Sequence, residues 1–418
     1  MRNCDSPSFT GCGMHISFPV TRPTSVITTM PGLSRSLCSA SEASGRDDHR
    51  SGLSAFMKGL FMSKSHNSKT SLAFIGTASA TAVMAIALNS AIAMSAQAQV
   101  ACAKPATVRI QEWPGDIINI VPWVADSKGM FRKHCLDVNF VPLVGGPAAM
   151  VALVNNTIDF ANQAPDNIIR SRSKGVEVRM TSNMYAGHWS ALVAGNAVAL
   201  SHASEGYPAI MNDLAGKNIG VTALGGTTEA FMQSAFEGAG MSPSSATFIS
   251  VGGVNTAVPA LKGRVVDAAM MFGTGPELAE ALGAGKIVLD YRVKRVGPKP
   301  VQALWGSTLT WAAYGPYIDK NPDVVAAFTT ANDEAIAWAI NPQNREEFYR
   351  IVDQRMPLPD AVPDRKHTLK RIVDVNSGLL AVGIPREAID GWTGFLMSLK
   401  QITSPIGYDV LVWKTGRR

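Results

Sequence analysis

The chain has 418 residues, 46% hydrophobic and 17% charged, enough apolar surface for a large buried core and for two or three compact units. The net charge of +6 is concentrated at the start: the first 98 residues hold eight of the 38 Lys/Arg and four of the 32 Asp/Glu, leaving 30 against 28. That near-neutral remainder has no basic stripe interleaved with aromatics, which argues against a nucleic-acid partner.

Residues 1–56 are rich in Ser, Thr, Gly and Pro and read as a disordered extension or a mis-called start, with Met57 and Met62 as alternative first residues. Residues 57–98 have the layout of a signal peptide. Lys58, Lys64 and Lys69 precede an acid-free stretch, SLAFIGTASATAVMAIALNSAIAMSAQA, that ends in Ala96-Gln97-Ala98. A membrane anchor is the alternative, but the moderate hydrophobicity and small-residue ending favour cleavage and export. Cys4, Cys12 and Cys38 fall before the cut, so only Cys102 and Cys135 remain. An isolated pair in an oxidising compartment suits one disulfide; two unrelated buried thiols are the other reading.

From residue 105 strands and helices alternate. Thr107–Gln111 reads as a strand, Trp113–Asp116 as a turn, and 117–131 as a helix ending near Gly129. Leu136–Val141 is a second strand, Gly145-Gly146-Pro147 opens a helix to about Asn155, Ile158–Ala161 is a third strand, and Val176–Met180 begins a fourth after a helix from Pro165. Asn218–Thr222, a helix from Gly225 to about Ala239, and Ala246–Val251 continue the pattern; Ser307–Ala313 returns the chain before helices at 322–340, 344–354 and 366–380. The class is α/β with mainly parallel strands. An internal echo supports two similar lobes: ALVNNTIDFA (152–161) and ALKGRVVDAA (260–269) share Ala, Leu, Asp and Ala at identical spacing, each after a Gly-Gly turn.

Candidate binding residues lie after strands and at helix starts. Gly146, and Gly225, Gly226, Thr227 and Thr228, open helices whose first amides have no internal acceptor and favour an anionic or polar group; plain capping is the alternative. Trp113 and Asp116 follow the first strand, where open sheets collect ligands: one can stack on a flat ring and the other pair with an amine, or they are core and turn residues. Gln163 and Asp166, then Tyr185, His188 and Trp189, then Phe272 and Gly273 follow later strands in the same way. Asp116, Asp166 and Glu229 argue against a purely anionic ligand. Gly-x-Ser-x-Gly, Walker, His-Glu-x-x-His, Cys-x-x-Cys and Rossmann glycine motifs are absent, and His134, His188, His202 and His367 lack metal spacing. No catalysis, metal or cofactor is expected.

Three runs carry a family resemblance: KGMFRKHCLDVNFVPLVGGPAAMVALVNNTIDFA (128–161), DLAGKNIGVTALGGTTEAFM (213–232) and PDVVAAFTTANDEAIAWAINP (322–342). In that order they resemble the NMT1/THI5-like, or nitrate–sulfonate–taurine type, substrate-binding proteins of ABC transporters. Cys135 departs from the pattern, since that family more often has Gly before Leu-Asp-Val. The resemblance implies a type II periplasmic-binding fold, with lobe I at 103–195 plus 307–418, lobe II at 196–306, and crossovers near Ser190–Ala194 and Thr308–Ala312. It further implies a monomer that captures a sulfonate-, carboxylate- or pyrimidine-like solute and docks on an inner-membrane permease. The rival is an enzyme on the same scaffold. A pyrimidine-synthase-like one would need a Cys cluster this chain lacks, and a desulfinase-like one a reactive cleft Cys, for which Cys102 and Cys135 are the candidates.

Overall fold

A computed structural model describes residues 102, 104–293 and 295–417; the expected extension and signal peptide lie outside them. In chain order the main elements are β1 (Ala106–Glu112), α1 (Ile120–Ser127), β2 (Leu136–Pro142), α2 (Gly146–Val154), β3 (Ala161–Gln163), α3 (Pro165–Ser173), β4 (Val178–Tyr185) and β5 (Ser190–Gly195). Then come β6 (Asn218–Val221), α4 (Thr227–Gly238), β7 (Thr247–Ser250), α5 (Val254–Lys262), β8 (Ala268–Phe272), α6 (Gly275–Ala281), β9 (Gly285–Asp290) and β10 (Leu309–Tyr314). Helices α7 (Pro322–Ile340), α8 (Arg345–Arg355), α9 (Arg365–Ser377) and α10 (Arg386–Ser398) follow.

The helix expected over 117–131 is broken. Asp116 caps a short 3-10 turn, α1 ends at Ser127, and Gly129 at φ +68° takes a left-handed turn that an α-helix cannot continue through. The third strand starts later than its apolar run suggests because Asp159 and Phe160 are already bonded to the Arg109 carbonyl, and Phe160 meets Ile110 in a single parallel bridge.

β1 pairs in parallel with β2 along its whole length. Through the Ile110–Phe160 bridge the order continues to β3, then to β10 and β4, both antiparallel neighbours. The first sheet therefore runs β2-β1-β3-β10-β4, and the second runs β7-β6-β8-β5-β9. In both, three parallel strands are followed by one antiparallel strand that the other half of the chain supplies, β10 in the first and β5 in the second. The two passages between sheets are residues 186–189 and 291–308. The segment Ser190–Ala194, expected as a crossover, is paired along its length to β8 and β9.

The sequence echo has a physical cause. Asp159 accepts from the Arg109 amide of β1 at 2.7 Å, and Asp267 accepts from the Asn218 amide of β6 at 2.8 Å. Each carboxylate pins the start of a third strand to the first strand of its sheet. Two buried apolar clusters each draw on both sheets, one joining Val108 and Ile110 to Val258 and Leu261, the other joining Ile168 and Met180 to Leu192 and Phe231. The lobes are thus packed together. The C-terminal helices hold the return strand: Trp311 Nε1 donates to Asn332 Oδ1 at 2.9 Å, and Trp392 Nε1 donates to the Ser307 carbonyl at 2.7 Å.

Cys102 and Cys135 form a disulfide, with Cα atoms 5.5 Å apart and a sequence separation of 33. Cys135 has φ +60°, a left-handed conformation that glycine adopts at lowest cost. The bridge thus sits where a backbone preference for Gly is overridden. Closing a loop of that length stabilises the fold by about 3–4 kcal/mol in the chain-entropy view. Removing it as C102S/C135S is expected to lower stability by about 2–4 kcal/mol. C102S/C135G should recover about 1 kcal/mol of that, because the left-handed position then carries no Cβ. Urea unfolding of the three proteins checks both; equal midpoints for the two double variants would remove the backbone argument.

Candidate functional site

The C-terminal ends of the parallel strands of both sheets meet at one partly open cavity, with about 400 Å³ of space between protein atoms that includes some open solvent. Water-sized molecules can be centred in only about 30 Å³ of it, so the walls are close. Trp113 follows β1, Asn162 and Gln163 belong to β3, Thr222 and Ala223 follow β6, and Phe272 ends β8. This is where open α/β sheets leave space for ligands. One wall is aromatic: Phe272 meets Trp113 edge-on at 5.2 Å and Trp189 edge-on at 5.0 Å. Trp189 is held by its Nε1, which donates to the Thr308 carbonyl at 3.0 Å.

The opposite wall is polar. Gln111, fully buried, accepts from the Asn162 amide at 3.1 Å and from Gln163 Nε2 at 3.3 Å, and donates to the Leu143 carbonyl at 2.9 Å. Those bonds fix the Gln163 carboxamide so that its Oε1 is the atom without a protein partner. Asn162 Oδ1 and Trp113 Nε1 are likewise buried without a partner. Buried polar atoms of this kind cost on the order of 1–3 kcal/mol each unless something satisfies them. Helix α2 from one lobe and α4 from the other begin at the cavity, through Gly146 and Pro147 and through Gly226, Thr227 and Thr228. Their first amides have no intrahelical acceptor, and both helix dipoles place partial positive charge there. Gly146 is required by space: a Cβ would lie 2.4 Å from Asn167 Nδ2 and 3.0 Å from Gln163 Oε1. None of the cavity-lining side chains is ionisable.

Of the residues singled out from sequence, Trp113, Gly146, Gln163 and Trp189 line this cavity together with Gly226, Thr227, Thr228 and Phe272. The others lie nearby or behind. Asp166 is buried, 2.7 Å from Arg170 and 2.8 Å from the Thr227 hydroxyl that donates to it. Gly225, at φ +73°, borders an outer groove instead, and its amide donates to the Glu229 carboxylate in a capping contact. Tyr185 is fully buried in the core, and burial followed by the nearby Asp116 charge raises its hydroxyl pKa. His188 Nε2 donates to the Val301 carbonyl at 2.8 Å and its ring packs on Phe231, Tyr291 and Trp305; burial lowers its pKa to about 4, so it is neutral. Gly273, at φ +53°, passes beneath the Asp116 carboxylate, and no side chain would fit there.

Asn162, Asn167 and Thr222 line the cavity without having been singled out. Their signals were present: each is next to a chosen residue or at a strand end, but short carboxamides and hydroxyls are common at such ends for capping alone.

Asp116 spans the lobes. Its Oδ1 accepts from the Ile118 amide at 3.0 Å and the Thr274 amide at 3.4 Å, while Thr274 Oγ1 accepts from the Ile117 amide at 2.9 Å. Burial pushes this carboxyl up to about 7, with the Glu277 charge acting in the same direction and the two amides opposing. The folded state then keeps a proton that the unfolded chain has already lost between about pH 4 and pH 7, so stability falls as pH rises through that window. Asp116→Asn keeps an oxygen for both amides and removes the charge. The variant should melt higher than the parent at pH 8 and show a flatter dependence between pH 5 and 8, by up to a few kcal/mol. Parallel melting curves for the two proteins across that range would show Asp116 to be ionised throughout.

Residues 119–345 match the family described as NMT1/THI5 like. No curated protein matches the chain in sequence. A solved structure from Bordetella bronchiseptica RB50 is 23% identical at TM-score 0.59, over 71% of this chain and 90% of that one. The alkanesulfonate-binding protein SsuA from Xanthomonas axonopodis pv. citri is 15% identical at TM-score 0.58, over 74% and 99%. The periplasmic aliphatic sulphonate binding protein SsuA from Escherichia coli is 15% identical at TM-score 0.55, over 75% and 99%. At these identities the likeness is one of fold, the two-lobed periplasmic-binding-protein fold of type II. The match over more than half of its length shows that the chain belongs to the NMT1/THI5-like family.

Proposed function

We propose that this protein is exported to the periplasm, captures a small organic solute in the cavity between its lobes, and delivers it as a monomer to an ABC-transporter permease in the inner membrane. The observation that carries the reading is the cavity itself. It is walled by both lobes, begins two helices from opposite sides, and keeps an indole N–H and two carboxamide oxygens without protein partners. In this reading lobe I is about 103–195 with 307–418 and lobe II about 196–306, with β5 passing into the second sheet. Closure of such lobes buries the solute, and the closed shape is what a permease would recognise. Among the described residues no helix is long and apolar enough to cross a membrane.

The lining narrows the solute. Helix N-termini suit a sulfonate or carboxylate group, and two of the structural neighbours are named for sulfonate binding. The aromatic wall suits a flat ring such as a pyrimidine, and the carboxamide oxygens call for a donor on the same molecule. The function is binding without chemistry: the desulfinase-like alternative needs a free cleft thiol, and Cys102 and Cys135 are bridged.

Thermal-shift screening of refolded, ligand-free mature protein tests the proposal, with alkanesulfonates, carboxylates and aminopyrimidines as probes and calorimetry on any that act. A true ligand at about 30 times its dissociation constant stabilises by about 2 kcal/mol. No response from any class would sink the solute reading. For a ligand so found, Trp113→Phe keeps the ring and removes the indole donor; affinity should fall about three- to tenfold with little change in melting temperature. Unchanged affinity would take the Trp113 N–H out of the site.

A further inference from the structure

We infer that Asp166 and Arg170, which lie behind the cavity, are positioning residues that latch the two lobes together and fix which hydrogen-bonding atoms of Asn167 and Thr227 face the ligand. Four side chains form a closed ring. Thr227 Oγ1 donates to Asp166 Oδ1 at 2.8 Å, and Arg170 Nη2 lies 2.7 Å from Asp166 Oδ2. The same Nη2 donates to Asn167 Oδ1 at 2.7 Å, and Asn167 Nδ2 donates back to Thr227 Oγ1 at 3.3 Å. Asp166, Asn167 and Arg170 all belong to α3 in the first lobe, whereas Thr227 is the first residue of α4 in the second. The ring is therefore complete only when the lobes meet.

Its polarity is forced. A carboxylate can only accept and a guanidinium can only donate. Asn167 must turn its oxygen to Arg170 and its amino group to Thr227, and Thr227 must direct its proton to Asp166. What remains for the cavity is one N–H of Asn167 and one lone pair of Thr227, both on lining residues. Asp166 is fully buried, so its charge is tolerable there only because Arg170 neutralises it; Arg170 is held in turn by Gln401, whose Oε1 accepts from Nη1 at 2.9 Å. The ion pair supplies a charge-strengthened acceptor for a hydroxyl of the other lobe without placing a net charge beside the ligand.

The ligand-facing half of this inference rests on the proposed solute site; the latch does not, and it can be tested without a ligand. Thr227→Val removes the hydroxyl and nearly preserves the shape, Thr227→Ser keeps the hydroxyl, and Arg170→Met removes the neutralising charge. Small-angle X-ray scattering of the ligand-free mature proteins reads closure, and thermal melts read folding. In Thr227→Val and Arg170→Met the ratio of closed to open molecules should fall about tenfold or more and the radius of gyration should rise, while Thr227→Ser should match the parent. A role confined to stability within α3 would lower the melting temperature of Arg170→Met and leave the scattering of Thr227→Val unchanged. Scattering from Thr227→Val that superimposes on the parent curve would overturn the latch, and this pair keeps the test decisive even if Arg170→Met does not fold. Opening of Thr227→Val in a protein that binds no probe solute would sink the transport reading and leave the latch standing.

Discussion

Neither sheet can be completed by its own half of the chain. β10 enters the first sheet after the second has been built, and β5 enters the second directly after the first, each antiparallel to its neighbours. This exchange tethers the lobes along one side through residues 186–189 and 291–308. It leaves the ends of β1, β3, β6 and β8 free to face each other on the other side. The position of the cavity follows from that constraint: most of its walls are residues at or after those four strand ends, completed by Gly146 and Pro147 after β2 and by Trp189 and Leu309 beside the passages.

The closed arrangement combines apolar burial with a few directed contacts. Apolar clusters that cross between lobes supply attraction without direction. Direction comes from the Asp116–Thr274 contacts, from Arg371 bound to Glu280 at 2.9 Å, and from Asn255 Nδ2 donating to the Pro114 carbonyl at 3.2 Å. Charge is kept off the cavity surface but not far from it. Asp166 is matched by Arg170, and elsewhere in the second lobe the buried Arg292 side chain meets Glu277 and Asp290 at 2.7 and 3.0 Å. A buried charge left alone would be far more costly than either pair. A ligand in the cavity therefore meets dipoles and rings, with the full charges already neutralised.

How much of this was readable in the sequence depends on what kind of signal each residue left. β2 and the start of α2 were legible because a Gly-Gly-Pro turn after an apolar run has few other physical uses. The echoed Asp was legible as a repeat, although its role, pinning β1 and β6 through a backbone amide, needs the pairing to be seen. The side chains after β4 were harder. Tyr185 ends β4 and is separated from His188 and Trp189 by a bend at residues 186–187, and of the three only Trp189 reaches the cavity. Asn162 and Asn167 left only the weak signal of a carboxamide at a strand end or beside a chosen residue, because their roles depend on contacts with Gln111 and Arg170 that only the fold reveals.

The repeat also explains why the cavity has unlike walls. By position, α4 corresponds to α1 and α5 to α2, so the structural counterpart of the Gly145-Gly146 turn is Gly252-Gly253. That second turn does not open on the cavity. The turn from Trp113 to Asp116 covers it, with a Cβ on Gly115 lying 3.0 Å from Asn255 Oδ1, and Gly252 and Gly253 border a smaller space beside Asp116. The first helix of each lobe then decides the chemistry. Before α1 the chain has Trp-Pro-Gly-Asp, which presents an indole; before α4 it has Gly-Gly-Thr-Thr, which presents amides and hydroxyls. Two lobes of one repeated strand–helix order thus enclose a site that is aromatic on one side and polar on the other, which a symmetric anion would use only in part. A solute with a ring at one end and a hydrogen-bonding group at the other would use both.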